Sequence, residues 1–233
     1  MTREEFIKNI KVPDGTMNGT ELKWTNLQKD VSEAFENNWS LIAISPRQTG
    51  RTTSLIINLL YELYISSCVE DFVETIFVGR SVADTKQISY RFKETIELNP
   101  FIDNLRVTRY HITGKYHHAI CFKSINSIQN IPLEERRNKR LIISDAAFIE
   151  DSFPIFKLIE GWRTVHIETV TGKGLKTFNS SFIRDLIDYN GVGVFDIIKY
   201  NWFELGLSRK WYDDQKAWMT EEIFKREILL EWD

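Results

Sequence analysis

Cysteine is nearly absent from this 233-residue chain: Cys68 and Cys121 stand alone, without a second thiol at disulfide or metal-binding spacing. That excludes a disulfide framework and a cysteine zinc site, suits a reducing compartment, and makes the cytosol the expected location. An excess of one charge is lacking too. Thirty Lys and Arg against 33 Asp and Glu leave a net charge of −3, so any nucleic-acid contact must come from a local patch. Long apolar runs are missing: the stretch from Ser54 to Val69 is interrupted by Asn58 and Glu62 and is too short to span a bilayer. Acidic residues at Glu4 and Glu5 argue against a signal peptide. No internal repeat and no low-complexity tract is present. What remains is 42% hydrophobic and 13% aromatic, enough for one substantial core and a single expected domain over 1–233.

Hydrophobic patterning gives the order of elements. Residues 1–26 read as an extension with turns at Pro13-Asp14-Gly15 and Asn18-Gly19, followed by an amphipathic helix over Leu27 to Trp39. Buried strands are predicted at Leu41–Ile44, Thr75–Gly79, Leu141–Ile143 and Thr164–Val170, and helices from about Thr52 to Cys68 and from Val82 to Leu98. Between them, residues 105–128 alternate as a short antiparallel pair around Gly114. Residues 199–233 form an aromatic-rich closing segment. Strands alternating with helices imply a three-layer α/β fold with a mostly parallel central sheet. Ligands of such sheets sit at the carboxyl ends of the strands, where Ser45, Gly79, Asp145 and Thr171 would converge.

The segment Ser45-Pro46-Arg47-Gln48-Thr49-Gly50-Arg51-Thr52-Thr53 lies between a strand and a helix start. It keeps the second glycine (Gly50) and the hydroxyl (Thr52) of a phosphate-binding P-loop, but has Ser45 for the first glycine and Arg51 for the lysine. Backbone N–H groups of Gln48 to Arg51 would form an anion nest at the helix start, and the Thr52 hydroxyl would face Mg²⁺. Arg51 puts a planar fork where a compact ammonium usually sits, which threatens hydrolysis more than binding. Downstream, Leu141-Ile142-Ile143-Ser144-Asp145 ends in a single acid. Such strands usually carry two, one supporting Mg²⁺ and one orienting the attacking water. Asp145 fits either role, so the site reads as one acid short. His117-His118 does not read as a metal site, because adjacent strand residues face opposite sides.

Taken in order, these segments resemble the ATPase domain of the large terminase subunit of tailed bacteriophages. The likeness runs from Leu27 to Asp233. Leu27-Gln28-Lys29-Asp30 resembles the family's adenine-recognising segment, and the Arg47-Gln48 pair its variant P-loop. Ile142 to Ile149 resembles its acidic strand with the Ala-Ala-Phe tail, and Glu168-Thr169-Val170-Thr171-Gly172-Lys173-Gly174 its coupling motif. The resemblance implies a RecA-like P-loop NTPase of the ASCE type that binds ATP and Mg²⁺ and drives double-stranded DNA into a procapsid. It also implies a homo-oligomeric ring on a portal protein, a small terminase subunit as partner, no membrane, and a location in the host cytoplasm at the procapsid. By position, Gln28 would read adenine and Arg47 the γ-phosphate. Ser45, Gln48, Thr49, Gly50, Arg51 and Thr53 would line the nucleotide, while Thr52 and Asp145 would hold Mg²⁺. Thr169 and Thr171 would report nucleotide state, and Arg136 or Arg137, from the basic cluster with Lys139 and Arg140, would act on a neighbouring subunit's nucleotide. The nuclease domain of full-length members is expected to be absent here. Two alternatives stay open: a packaging or assembly protein that binds nucleotide with weak or no hydrolysis, and a helicase-like ATPase.

Overall fold

A computed structural model describes every residue except 16–18, 22, 38, 66–73, 104, 115–117, 151, 172–176, 189–193 and 233. Cys68, His117 and the Gly172-Lys173-Gly174 end of the expected coupling motif therefore lie outside the described residues. The central sheet has eight strands: β3 (Leu41–Ile44), β4 (Glu74–Val78), β5 (Arg106–Val107), β6 (His111–Thr113), β7 (Ala119–Phe122), β8 (Lys139–Ile143), β9 (Thr164–Thr169) and β10 (Asp196–Lys199). Their spatial order is β10-β3-β9-β8-β4-β7-β6-β5. The strands from β10 to β7 run parallel, and β6 and β5 close the far edge antiparallel. A separate hairpin-like pair joins β1 (Lys11–Val12) to β2 (Thr20–Glu21).

Strand alternation sends successive side chains to opposite faces, and each face is covered. On one side Leu41, Ala43, Phe77 and Ile142 pack under α1 (Arg3–Asn9), α2 (Asn26–Glu36), α3 (Arg51–Ile65) and α4 (Val82–Glu97). On the other, Ile42, Ile44, Ile76, Leu141, Ile143 and Ile167 pack with α5 (Ile125–Gln129), α7 (Ile155–Leu158) and α8 (Phe178–Asp188). The result is the three-layer α/β architecture with a mostly parallel sheet. No helix among the described residues is long and apolar enough to cross a membrane.

The amino-terminal residues are more integrated than an extension. Thr2 and Glu5 form a capping box that starts α1, and the fully buried Phe6 packs edge-on against Tyr61 and Phe101. The Thr-x-x-Glu spacing announces that start. Strand β10 has no comparable signal, because it lies at the sheet edge with only intermediate burial of Ile197 and Ile198.

A polar cluster sits inside the first layer. Arg140, only 1% exposed, is held by Glu62 of α3 at 2.7 and 3.2 Å and lies over the Phe35 ring. The same ring meets His166 edge-on, with centroids 4.4 Å apart. Burial, then the nearby Arg140 charge, pushes the His166 pKa well below its usual value against a smaller opposing contribution from the Trp39 backbone. The folded state thus binds fewer protons than the unfolded state. Stability from this site is fully present above about pH 6.5 and is lost as pH falls, by about 1.4 kcal/mol per unit until the folded pKa is reached. Urea midpoints measured from pH 5 to 8 should slope less in His166→Phe than in the unsubstituted chain, and parallel slopes would refute this.

Candidate functional site

Three adjacent strands, β3, β9 and β8, end side by side. Ala43 of β3 pairs with Glu168 of β9, and Ile143 of β8 with Ile167. The chain leaves β3 at Ser45, β9 at Val170 and β8 at Ser144, so the expected P-loop and the expected acidic strand meet at one edge.

The loop is held by its own side chains. Ser45 and Thr49 share a 2.7 Å hydroxyl hydrogen bond, and Thr49 also donates to the Pro46 carbonyl. Gln48 (φ 60°) and Gly50 (φ 86°) are left-handed on either side of Thr49, a change of hand of the kind that gathers successive N–H groups into one concavity. A Cβ at Gly50 would also stand 2.6 Å from Gln28 Nε2 and displace that amide. Thr53 accepts a 2.9 Å hydrogen bond from Arg91 of α4.

Arg51 is 8% exposed and folded back over the strand ends. Its guanidinium donates to the Thr169 carbonyl and stands 3.8 Å from Asp145 Oδ1. Burial lowers its pKa, while Glu168 and Asp145 oppose that shift. Asp145 has a left-handed backbone (φ 54°, ψ 43°) and a side chain 26% exposed at the mouth. Aspartate is among the few residues that tolerate this conformation, and such outliers gather at functional sites.

The second carboxylate comes from the neighbouring strand. Glu168, 3% exposed, places Oε2 at 3.4 Å from the Thr52 hydroxyl and 3.3 Å from the Ser144 hydroxyl. Desolvation pushes its pKa up to about 7, against the lowering effect of Arg51. The strand that leads to Asp145 carries one acid, as its sequence reads, and a second carboxylate lies at the same edge on the adjacent strand. A signal was present, for a carboxylate in a fully buried six-residue strand needs a partner.

The other expected residues take varied positions. Thr169 accepts from the Ala147 N–H and donates to the Val170 carbonyl, which ties β9 to the turn after Asp145. Thr171 donates to the Arg226 carbonyl of α10 (Glu221–Glu227). Arg47 is held at the same helix, with its side chain 3.1 Å from Glu227 Oε2 and its N–H on the Glu227 carbonyl. Glu227 is buried and also meets Arg226. Sequence reasoning missed Glu227, and also Arg80, which pairs with Asp84 at 2.7 Å and lies over the Phe148 ring next to Asp145.

Two of the expected residues are engaged in contacts within the chain. Gln28 has its amide turned inward. It is 2% exposed, with Oε1 closing the Thr25 capping box at 2.9 Å and Nε2 on the Gly50 carbonyl at 3.4 Å. Both ends of the amide are thus committed to bracing the P-loop against α2. Arg136 is likewise held within the chain. At 6% exposure it donates to the carbonyls of Ile128, Gln129, Ile131, Lys157 and Glu160, with its guanidinium over the Trp162 ring. Arg137 is exposed, at the end of α6 (Leu133–Arg136) that leads into the amino end of β8, a strand's length from the site.

The oxygens of Thr52, Ser144, Asp145 and Glu168 are hard donors of the kind Mg²⁺ takes, so the residues present fit that ion. No group of three His, Cys, Asp or Glu side chains is poised for a metal among the described residues. Phosphate and water oxygens would therefore complete the shell.

No protein-family model matches the chain. No curated protein matches it either. Solved structures do. The large terminase of bacteriophage HK97 matches with a TM-score of 0.73 at 15% identity, over 100% of this chain and 56% of that one. The large terminase of a thermophilic bacteriophage, in complex with ATP-gamma-S, matches with a TM-score of 0.64 at 13% identity, over 90% and 53%. The large terminase ATPase domain of Thermus phage P74-26 matches with a TM-score of 0.59 at 16% identity, over 95% and 99%. The chain thus has the RecA-like fold of phage large-terminase ATPase domains and spans just over half of the two longer chains.

Proposed function

We propose that this chain is a P-loop ATPase that powers the movement of double-stranded DNA into a phage procapsid. The observation that carries the reading is the junction of the Ser45–Thr53 loop with the strand ends, where Arg51 meets Asp145 and Thr52 meets Glu168. The thermophilic-phage terminase in complex with ATP-gamma-S supports a nucleotide as the ligand. In hydrolysis the bond from γ-phosphorus to the β–γ bridging oxygen breaks as water forms a new P–O bond. Little covalent chemistry falls to the protein, so its work is positioning and charge stabilisation. The loop amides and Arg51 would neutralise the phosphates, and Arg47 would leave Glu227 to reach the γ-phosphate. Thr52 and the acids beside it would hold Mg²⁺, which would supply positive charge to the phosphates when bound. Thr169 and Thr171 connect the same strand end to the Asp145 turn and to α10, a route by which nucleotide state would reach the closing segment.

A portal protein, a small terminase subunit and a ring of copies in the host cytoplasm complete the proposal. ATP turnover with added linear double-stranded DNA tests it. Stimulation by duplex supports the packaging reading, stimulation by single strands alone favours the helicase-like one, and no response to either counts against a translocase.

A further inference from the structure

The strand ends divide the two acids into different surroundings. Asp145 stands at the mouth, a quarter exposed and facing Arg51. Glu168 lies behind it, almost wholly buried, and accepts from two hydroxyls at this edge: Thr52, one residue into α3, and Ser144, the first residue after β8. The parallel register produces this arrangement. With Ile143 opposite Ile167, the next position brings Ser144 beside Glu168, and Ala43 pairs with Glu168 from the other side of β9.

We propose that Glu168, and not Asp145, is the carboxylate that supports the divalent cation of a bound nucleotide, acting through Thr52 and Ser144, and that Asp145 is thereby left to orient the attacking water. The proposal rests on the ATPase reading above. A hydroxyl that donates its proton to a carboxylate turns its lone pairs outward, toward the metal position, and outer partners of this kind fix the orientation of a ligand and raise its donor strength. Glu168 has the geometry for that role toward Thr52, and Asp145 does not, since its described partner is Arg51. Ser144 stands next to Asp145 at the strand end, and the carboxylate that it meets comes from the adjacent strand. The edge thus holds two carboxylates, Asp145 and Glu168. Glu168 is a positioning residue on this account, and Asp145 the residue that touches the reacting water.

The test is Mn²⁺ binding, read by electron paramagnetic resonance, to the full chain saturated with a non-hydrolysable ATP analogue. Glu168→Gln should weaken Mn²⁺ roughly 10- to 100-fold without weakening metal-free analogue binding. Asp145→Asn should keep the Mn²⁺ affinity and lose turnover. The exchange variant Ser144→Asp with Glu168→Ser, which moves the acid to the end of β8, should recover the Mn²⁺ affinity that Glu168→Ser alone loses. Thermal melting of each variant identifies any that fail to fold, and the exchange variant then decides the matter. Loss of Mn²⁺ in Asp145→Asn with retention in Glu168→Gln overturns the proposal, as do equal losses in both or no recovery in a folded exchange variant. If the unsubstituted chain binds no analogue, the ATPase reading itself fails; if it binds analogue and Mn²⁺ but Glu168→Gln is silent, only the assignment of Glu168 fails.

Discussion

Arg51→Ala is expected to lower ATP turnover roughly 100- to 1,000-fold, the usual cost of removing one preorganised charge donor from an active site. The buried guanidinium is the cation set between the Thr169 carbonyl and Asp145, with Glu168 as a further opposite charge nearby. Without it, two carboxylates share an edge that has lost its fixed positive charge, and an incoming polyphosphate meets repulsion in place of attraction. Arg51→Lys tests whether the fork matters beyond its charge. A lysine carries one compact ammonium on a flexible stem, and it would not bond the Thr169 carbonyl and face Asp145 with the same rigid geometry. Its turnover should fall between those of Arg51→Ala and the unsubstituted chain. Fluorescent-analogue titration run beside turnover separates weakened binding from slowed chemistry, and an Arg51→Ala variant that turns over at the original rate would remove Arg51 from the site.

The largest stability effect is expected far from the loop. Glu62→Ala deprives the Arg140 guanidinium, which is 1% exposed, of the carboxylate that holds it at 2.7 and 3.2 Å. Removing one partner of a buried ion pair costs up to about 3–5 kcal/mol. That is a large fraction of the roughly 5–15 kcal/mol by which domains are stable. The Phe35 ring below Arg140 offsets some of the loss without replacing a carboxylate. Glu62→Gln keeps an acceptor and should cost less, and replacing both charges with apolar residues of similar volume should cost least. Urea unfolding checks the order. A Glu62→Ala variant whose stability stays close to that of the unsubstituted chain would show that the guanidinium finds other compensation.

Much of the frame was legible in the chain. Apolar runs bounded by polar residues placed β3, β4, β8 and β9 within a residue or two of their observed ends. Strand-then-helix alternation gave the parallel sheet, and the loop after β3 was found because Gly50 and Thr52 keep a spacing set by local backbone geometry. What escaped was non-local. Glu168 meets Ser144 across 24 residues and Thr52 across 116, so a search for two acids on one strand could not find it. Glu227 reaches Arg47 across 180 residues, through a helix whose sequence says nothing about where it docks. The placement of Gln28 and Arg136 escaped as well: each carries a side chain suited to a ligand, and each turns it to nearby backbone. The Thr25-x-x-Gln28 capping pattern was readable, whereas the carbonyls around Arg136 converge only once α5, α6 and α7 have packed.

The grip of α10 on the loop links these findings to work. Arg47 and Thr171 both end on residues of one short helix. A change in Arg47 on nucleotide binding would therefore be felt by the closing segment without any long relay.

The central claim is that this loop hydrolyses ATP with help from the acid after β8, and steady-state turnover beside equilibrium ATP binding tests it most directly. The account predicts saturable binding with turnover above background in the unsubstituted chain, and turnover at background with binding retained in Asp145→Ala. Saturable binding with background turnover in the unsubstituted chain, or equal turnover in Asp145→Ala, would contradict it.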